Sequence, residues 1–278
     1  MKRRAVDTEV RTRNVVARGI ANLSPQACAQ LPGIDVMSRD VRCQRQTNDP
    51  PVPAPDDKLF DIRDEFRSTN DGRLFLRYEN GRDDRILLFA TQRSMDFLST
   101  CHHWFMDGTF KSSPPQFAQI YTVHGLRRGR NIPTAYALLP NKREETYVEL
   151  LRQVQQLTLV APTSVLTDFE VGAMNAIKTV YPEANVQGCL FHLCQSIHRR
   201  VQSEGLQDEY INDNVFRSQV RLLAPLAFVP GAEVEDAFEH VSNRWGNHGR
   251  AILDYFERVY VGQVRAGVRH SPLFDLNM

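Results

Sequence analysis

The feature that most constrains this chain is the order of its apolar runs from Trp104 onward. Phe105 to Phe110, Phe117 to His124 and Ile132 to Leu139 are three short β-type runs, with turn signals at Pro114-Pro115 and Gly129-Arg130-Asn131. They predict an antiparallel meander. The period then changes: Tyr147, Leu150, Leu151, Val154 and Leu157 fall on one helical stripe. Asn141, with Glu144 three positions on, predicts the cap of that helix. Ser164 to Asp168 reads as a short buried strand, and Ala173, Met174, Ala176, Ile177 and Val180 give the next helix its apolar face. A last strand, Asn185 to Leu190, leads into a helix carrying Leu193, Ile197 and Val201. Such an order needs a layered α/β core in which each helix buries its stripe against a sheet.

The flanks are punctuated differently. Val10, Val16, Ile20 and Leu23 are loosely helical in spacing, and Ser24-Pro25 pairs a cap with a proline at the first helical position. A third helix from about Asp35 sets Arg39, Arg42 and Arg45 at three-residue steps near one face. That pattern suits either a helix-turn-helix reader meeting DNA or a solvated face of a small bundle. Four prolines between Pro50 and Pro55 then disfavour helix and predict a linker. Leu74 to Tyr78 and Arg85 to Ala90 flank Asn80-Gly81, a turn pair suited to positive φ, and predict a β-hairpin. After Gln202 the signals are mostly helical, anchored by Phe238, Val241, Ile252, Phe256 and Val259. The expected layout is a small helical region over 1–48, a linker over 49–57, a hairpin segment over 58–100, the α/β core over 101–204 and a helical region over 205–278.

Composition excludes several classes. Across 278 residues, 24% are charged and 42% hydrophobic, which is a globular balance. No apolar run approaches the roughly 20 residues of a membrane span, and Met1-Lys2-Arg3-Arg4 leads into Val6, Asp7 and Glu9 rather than an apolar signal stretch. No membrane partner is expected. Five cysteines, irregularly spaced, do not make a disulfide scaffold and point to a reducing compartment. Net charge is only +1, yet residues 1 to 50 hold nine Lys and Arg against five acids. The N-terminus is locally basic.

Two aspartates carry the chemistry. Asp107 sits inside the first core strand, where aspartate is unfavourable by propensity and needs an edge position or a job. Asp168 closes the fourth strand and abuts a helix, where capping is a sufficient explanation. Their sequence separation of 61 is enough for two strands and a crossover helix to bring them side by side. Two carboxylates about 4 Å apart repel by roughly 4 kcal/mol at an effective dielectric near 20, which raises one pKa or calls for a cation. A hard divalent ion suits such oxygens, and two-ion sites drive in-line phosphodiester displacement. From spacing alone, a metal pair and a structural strand aspartate plus helix cap both stand.

Met106-Asp107-Gly108-Thr109-Phe110-Lys111, followed by Pro115-Gln116-Phe117-Ala118-Gln119-Ile120-Tyr121-Thr122-Val123-His124, resembles the first-aspartate block of Mutator-like (MULE) transposases. Thr167-Asp168-Phe169-Glu170 with Ala173 and Ala176-Ile177 resembles the second block, and Gly188-Cys189-Leu190-Phe191-His192 the cysteine-x-x-histidine motif that follows. Leu139-Pro140, Lys142, Thr146-Tyr147, Trp245 and Tyr255-Phe256 are similar to flanking pieces. The likeness is strongest from about residue 85 to 200.

The resemblance implies a DDE-type strand-transfer centre on an RNase H-like core, the fold whose element order matches the one read above. Asp107 and Asp168 would bind Mg²⁺ or Mn²⁺, His192 would sit beside them, and DNA would be the partner, in the nucleus, with self-association open. The family places its third acid on a late helix within an Asn-Asn-x-x-Glu type segment. No such segment occurs up to Met278, so the chain is expected to stop inside or just past the helical insertion.

Other clusters leave alternatives. Cys189, His192, Cys194 and His198 include zinc-ligand types, but only Cys194 and His198 have same-face helical spacing, so core packing of the cysteines is the favoured expectation. Glu170, two residues past Asp168, is a candidate substitute for the third acid, although a helix start favours an acid there through the dipole alone. Arg127, Arg128 and Arg130 crowd one turn, and Arg199-Arg200 follow on the histidine-bearing helix; they are solvated faces or DNA-phosphate contacts. Three functional readings follow: a transposase-derived protein, a catalytically inactive DNA-binding or regulatory remnant, and an RNase H-like nuclease.

Overall fold

A computed structural model describes residues 11–48, 53–246, 249–265 and 268–274. The basic start at Lys2 to Arg4, the first half of the proline run at Pro50 and Pro51, and the last four residues lie outside the described residues. The chain divides into two compact units, 1–54 and 55–278.

In the first unit, α1 (Thr12–Ile20), α2 (Pro25–Ala29) and α3 (Ile34–Asn48) form a small helical cluster. Ser24 caps α2 by accepting from the Ala27 N–H at 3.3 Å. Val15 and Val16 of α1 meet Met37 and Val41 of α3, with Ile20 and Leu31 packed against them. Arg39 and Arg42 are exposed, whereas Arg45 is half-buried and donates to Thr12 Oγ1 at 3.3 Å.

The second unit opens with a short helix, α4 (Asp64–Arg67), and is built on a mixed seven-stranded sheet. Its strands are β1 (Leu76–Glu79), β2 (Leu87–Ala90), β3 (His103–Thr109), β4 (Gln119–Arg127), β5 (Arg130–Leu139), β6 (Ser164–Thr167) and β7 (Asn185–Gly188), in spatial order β1-β2-β5-β4-β3-β6-β7. The pairs from β1 through β3 are antiparallel, and β6 and β7 are parallel to β3. The β4–β5 connection is a two-residue turn at Arg128 and Gly129, both with positive φ.

Period-2 alternation decides the faces. On β3 Trp104 and Met106 are buried, and on β4 Tyr121 and Val123, while Phe105, Asp107 and Thr122 turn to the other side and are half-buried. The buried side packs under α6 (Glu144–Leu157), with Tyr147, Leu150, Leu151 and Val154, and α7 (Val171–Val180), with Ala173, Ala176 and Ile177. Each large apolar side chain so buried contributes about 1.5–3 kcal/mol. A preceding helix, α5 (Gln92–Leu98), begins at a reciprocal Thr91–Ser94 capping box.

Two local expectations are corrected. Asn141 does not cap α6: its Oδ1 accepts from the Arg143 N–H at 2.9 Å and the Thr146 hydroxyl at 2.8 Å, shaping the turn before the helix, whose N-cap is Arg143. The last core strand ends at Gly188 rather than Leu190, because Leu190 already opens α8 (Leu190–Ser203).

A second apolar cluster joins α8 to α10 (Asn214–Arg221), α11 (Val234–Ser242) and α12 (Arg250–Phe256), with α9 (Gln207–Asn212) between α8 and α10 in the chain. Leu193, Ile197 and Val201 face Phe216, Phe238 and Phe256 there. The C-terminal region is not purely helical. A π-helical turn at Glu257–Val261 follows α12, and β8 (Gln263–Arg265) pairs with β9 (Val268–His270).

Candidate active site

Strand register places the two aspartates. Met106 on β3 is the neighbour of Thr167 on β6 in a parallel pair, so Asp107 and Asp168 are the next residues on each chain. Neighbouring strands lie about 4.8 Å apart, and both acids stand at the carboxyl ends of their strands, the edge where open α/β sheets bind ligands. Thr167 in turn pairs with Gly188, so the start of α8 borders the same edge. A cleft of about 620 Å³ opens there, lined by Asp107, Asp168, Glu170, His192, Lys111 and Arg199 among others.

The strand ends are held by packing. Phe169 follows Asp168 and turns its ring edge-on to Tyr260 at 5.2 Å and Phe274 at 5.0 Å, bridging the two apolar clusters. It lies against the Gly188 backbone so closely that a Cβ there would come within 2.4 Å of the ring. Any larger residue at 188 would therefore displace the segment carrying Asp168.

Asp107 and His192 come together. His192 Nε2 is 3.6 Å from Asp107 Oδ1, just outside hydrogen-bond range. Asp107 Oδ1 and His192 Nδ1 are buried and have no hydrogen-bond partner. An orphaned carboxylate oxygen is costly, and it is the type of donor a hard cation takes.

Asp168 is not a helix cap. The N-cap of α7 is Glu170, with no side-chain cap bond, and Asp168 accepts from its own neighbour, the Thr167 hydroxyl, at 3.3 Å. Burial pushes its carboxyl up to about 6, and the negative charges of Glu170 and Asp107 add to the rise while His192 and Lys142 oppose it. Burial rather than the neighbouring aspartate is thus the main cause of the rise.

The sequence left Glu170 either as a helix-start acid or as a substitute third ligand. Its carboxylate forms an ion pair with Lys142 Nζ at 2.8 Å and accepts a short hydrogen bond from the Tyr147 hydroxyl. Tyr147 accepts in turn from Gln119 Nε2 at 2.6 Å, and burial with the Glu170 charge raises its phenol well above the ordinary value. Gln119 is fully buried, and its amide oxygen abuts the Cα side of Gly108, next to Asp107. A polar chain of Lys142, Glu170, Tyr147 and Gln119 thus runs behind the cleft, ending at a buried Gln119 amide oxygen without a hydrogen-bond partner. Its one sequence signal was Gln119, a polar residue at an inward position of an apolar strand.

The arginines around the β4–β5 turn are not at this edge. Arg127, Arg128 and Arg130 lie at the opposite end of the sheet, because β4 runs antiparallel to β3; Thr122 neighbours Asp107, and Arg127 is five residues, about 17 Å, further along. Arg39, Arg42 and Arg45 belong to the N-terminal unit. The cysteines depart from core packing, since Cys189 is half-exposed and Cys194 exposed. Among the described residues no group of three or more His, Cys, Asp or Glu side chains converges as a metal cage. Asp107 and Asp168 remain as two hard oxygen donors, a set that suits Mg²⁺, which is often held by one or two carboxylates with water and substrate phosphate completing its shell.

Fold and cleft together define a class: an α/β domain presenting paired carboxylates at the carboxyl edge of a mixed sheet. Residues 103–196 match the sequence profile of the MULE transposase domain. This bears out the resemblance read from the motifs. The chain is also similar to a transposase for the insertion sequence element IS1201 of Lactobacillus helveticus, 30% identical over 159 residues, covering 56% of this chain and 42% of that protein. It spans less than half the length of that relative. Among the described residues, no helix is long and apolar enough to cross a membrane.

Proposed function

We propose that this chain carries the DNA strand-transfer centre of a DDE-type transposase, with Asp107 and Asp168 as its divalent-cation ligands. The observation that carries this reading is the in-register placement of the two aspartates at adjacent parallel strand ends, one of them with an orphaned buried oxygen. The sheet supports the RNase H-like reading of residues 101–204, because its β5-β4-β3-β6-β7 section is three antiparallel strands followed by two parallel ones. DNA, in a nucleus where the host has one, is the substrate, and Arg39, Arg42 and Arg45 are duplex contacts of the N-terminal unit. Arg127, Arg128 and Arg130 would meet flanking DNA beyond the cleft.

When bound, Mg²⁺ or Mn²⁺ would activate the attacking hydroxyl and offset charge building on the phosphoryl oxygens. The protein's own part is positional. Asp107 and Asp168 fix the oxygens that receive the ion. His192, with Nε2 3.6 Å from Asp107 Oδ1, stands close enough to orient that carboxylate. Lys142 and Tyr147 hold Glu170 against α7, where its charge adds to the burial that raises the Asp168 carboxyl.

A second reading, a DNA-binding protein without strand-transfer activity, is favoured by one observation: the third carboxylate of the cleft, Glu170, is already tied to Lys142 and Tyr147. A nicking and strand-transfer assay on plasmid DNA with Mn²⁺ separates the two. The proposal expects cation-dependent strand breaks that disappear in Asp107→Asn and Asp168→Asn. Binding of DNA with no breaks at any Mn²⁺ level supports the second reading, and breaks without joining would make the chain a nuclease.

A further inference from the structure

We propose that Arg199 and Lys111 are phosphate-positioning residues of the cleft, and that they hold a single DNA strand, rather than intact duplex, across Asp107 and Asp168. The inference rests on the strand-transfer reading and names the form in which its substrate enters.

The cleft has an electrostatic problem. Asp107, Asp168 and Glu170 are all part of its lining, so a phosphodiester would be repelled unless cations offset them. The basic side chains around it are not equivalent. Lys142 is committed to Glu170 and stands 3.8 Å over the Phe110 ring. Arg200 is paired with Glu204 at 2.8 Å and lies over the Tyr255 ring.

Arg199, its immediate neighbour in sequence, turns into the cleft, is exposed and forms no ion pair among the described residues. Lys111, four residues after Asp107, is likewise exposed, lines the cleft and has no such partner. Two cations without an acidic partner among the described residues therefore share the cleft with the two aspartates. Surface cations with acidic partners would serve the fold; these serve whatever enters.

Size and spacing select one strand. About 620 Å³ is the volume of a small-ligand site, within the range of roughly 300–1,000 Å³ such sites occupy, and a duplex does not fit in it. Arg199 follows His192 by seven residues on α8, two turns or about 10.5 Å. That is roughly three nucleotides of a stacked strand at 3.4 Å each. A strand with its reacting phosphate at Asp107 and His192 thus carries another phosphate to Arg199. Phe110 and Tyr255 line the same space and offer aromatic surface to bases, as single-strand sites do.

The test measures binding of a fluorescein-labelled single-stranded oligonucleotide, and of the same sequence as duplex, by anisotropy of the full chain across roughly 50 to 200 mM salt. For a single strand each phosphate contact contributes about 0.7 to the slope of log affinity against log salt. Arg199→Gln and Lys111→Gln should each lower that slope by about 0.7 and the double variant by about 1.4, while Arg199→Lys keeps it. Arg221→Gln, which removes an exposed arginine outside the cleft lining, should leave it unchanged and so controls for net charge. Unchanged single-strand slopes in both variants, or losses seen only with duplex, would overturn the inference and leave the strand-transfer reading intact. A wild-type chain that binds neither form of DNA would overturn both.

Discussion

Replacing Asp168 by asparagine should stabilise the protein at neutral pH, an unusual sign for a residue in a packed strand end. The folded carboxyl titrates at about 6 against an ordinary 3.8. A raised acid binds its proton more tightly in the folded than in the unfolded chain. Its favourable contribution is therefore present below about 3.8 and is lost as pH rises through about 6. At about 1.4 kcal/mol per pH unit, the charged form costs roughly 3 kcal/mol above that window. Asparagine keeps the acceptor for the Thr167 hydroxyl and removes the charge that burial, Glu170 and Asp107 oppose. For a domain of this size about 3 kcal/mol corresponds to a Tm rise of about 6–12 °C. Thermal unfolding of both proteins from pH 4 to 8, without divalent ions, should show a gap that is largest at pH 7.5 and nearly closed at pH 4. A variant no more stable than wild type at pH 7.5, or a gap independent of pH, would refute the reasoning.

Two further substitutions probe how the site is held. Gly188→Ala puts a Cβ within 2.4 Å of the Phe169 ring; a rigid ring and strand backbone cannot both yield, so urea denaturation should report a loss of about 1–3 kcal/mol, and an unchanged midpoint would contradict the close approach. Tyr147→Phe removes the donor to Glu170 and the acceptor for Gln119 Nε2. A loss of about 1.5–3 kcal/mol is expected because one partner is charged and the other buried, and a loss below about 0.5 kcal/mol would show that the polar chain behind the cleft does not hold.

Much of this architecture was readable because it is local. The switch from period 2 at Ile132 to Leu139 to a helical stripe at Tyr147 to Val154 fixes element types without any tertiary knowledge. The motifs around Asp107 and Asp168 carried the family resemblance for the same reason. What stayed hidden depends on contacts far apart in the chain. Lys142 and Glu170 are 28 residues apart, and neither position distinguishes their ion pair from two solvated charges. Asn141 has the right residue type for a cap, but the chain enters α6 two residues later and uses the side chain to shape the turn instead. The separation of Arg127, Arg128 and Arg130 from the aspartates follows from strand direction, which clustering by sequence ignores. The π-helical turn at Glu257–Val261 and the β8–β9 hairpin had no periodic signal, being too short to set one.

The central claim is that Asp107 and Asp168 together receive a divalent cation, and titration of the full chain with Mn²⁺, followed by loss of the free-ion electron paramagnetic resonance signal, tests it most directly. The account predicts one Mn²⁺ bound per chain, displaced by Mg²⁺, with binding abolished in Asp107→Asn and in Asp168→Asn but retained in Cys194→Ser. Binding that is equally strong in both aspartate variants, or absent from the wild-type protein, would contradict it.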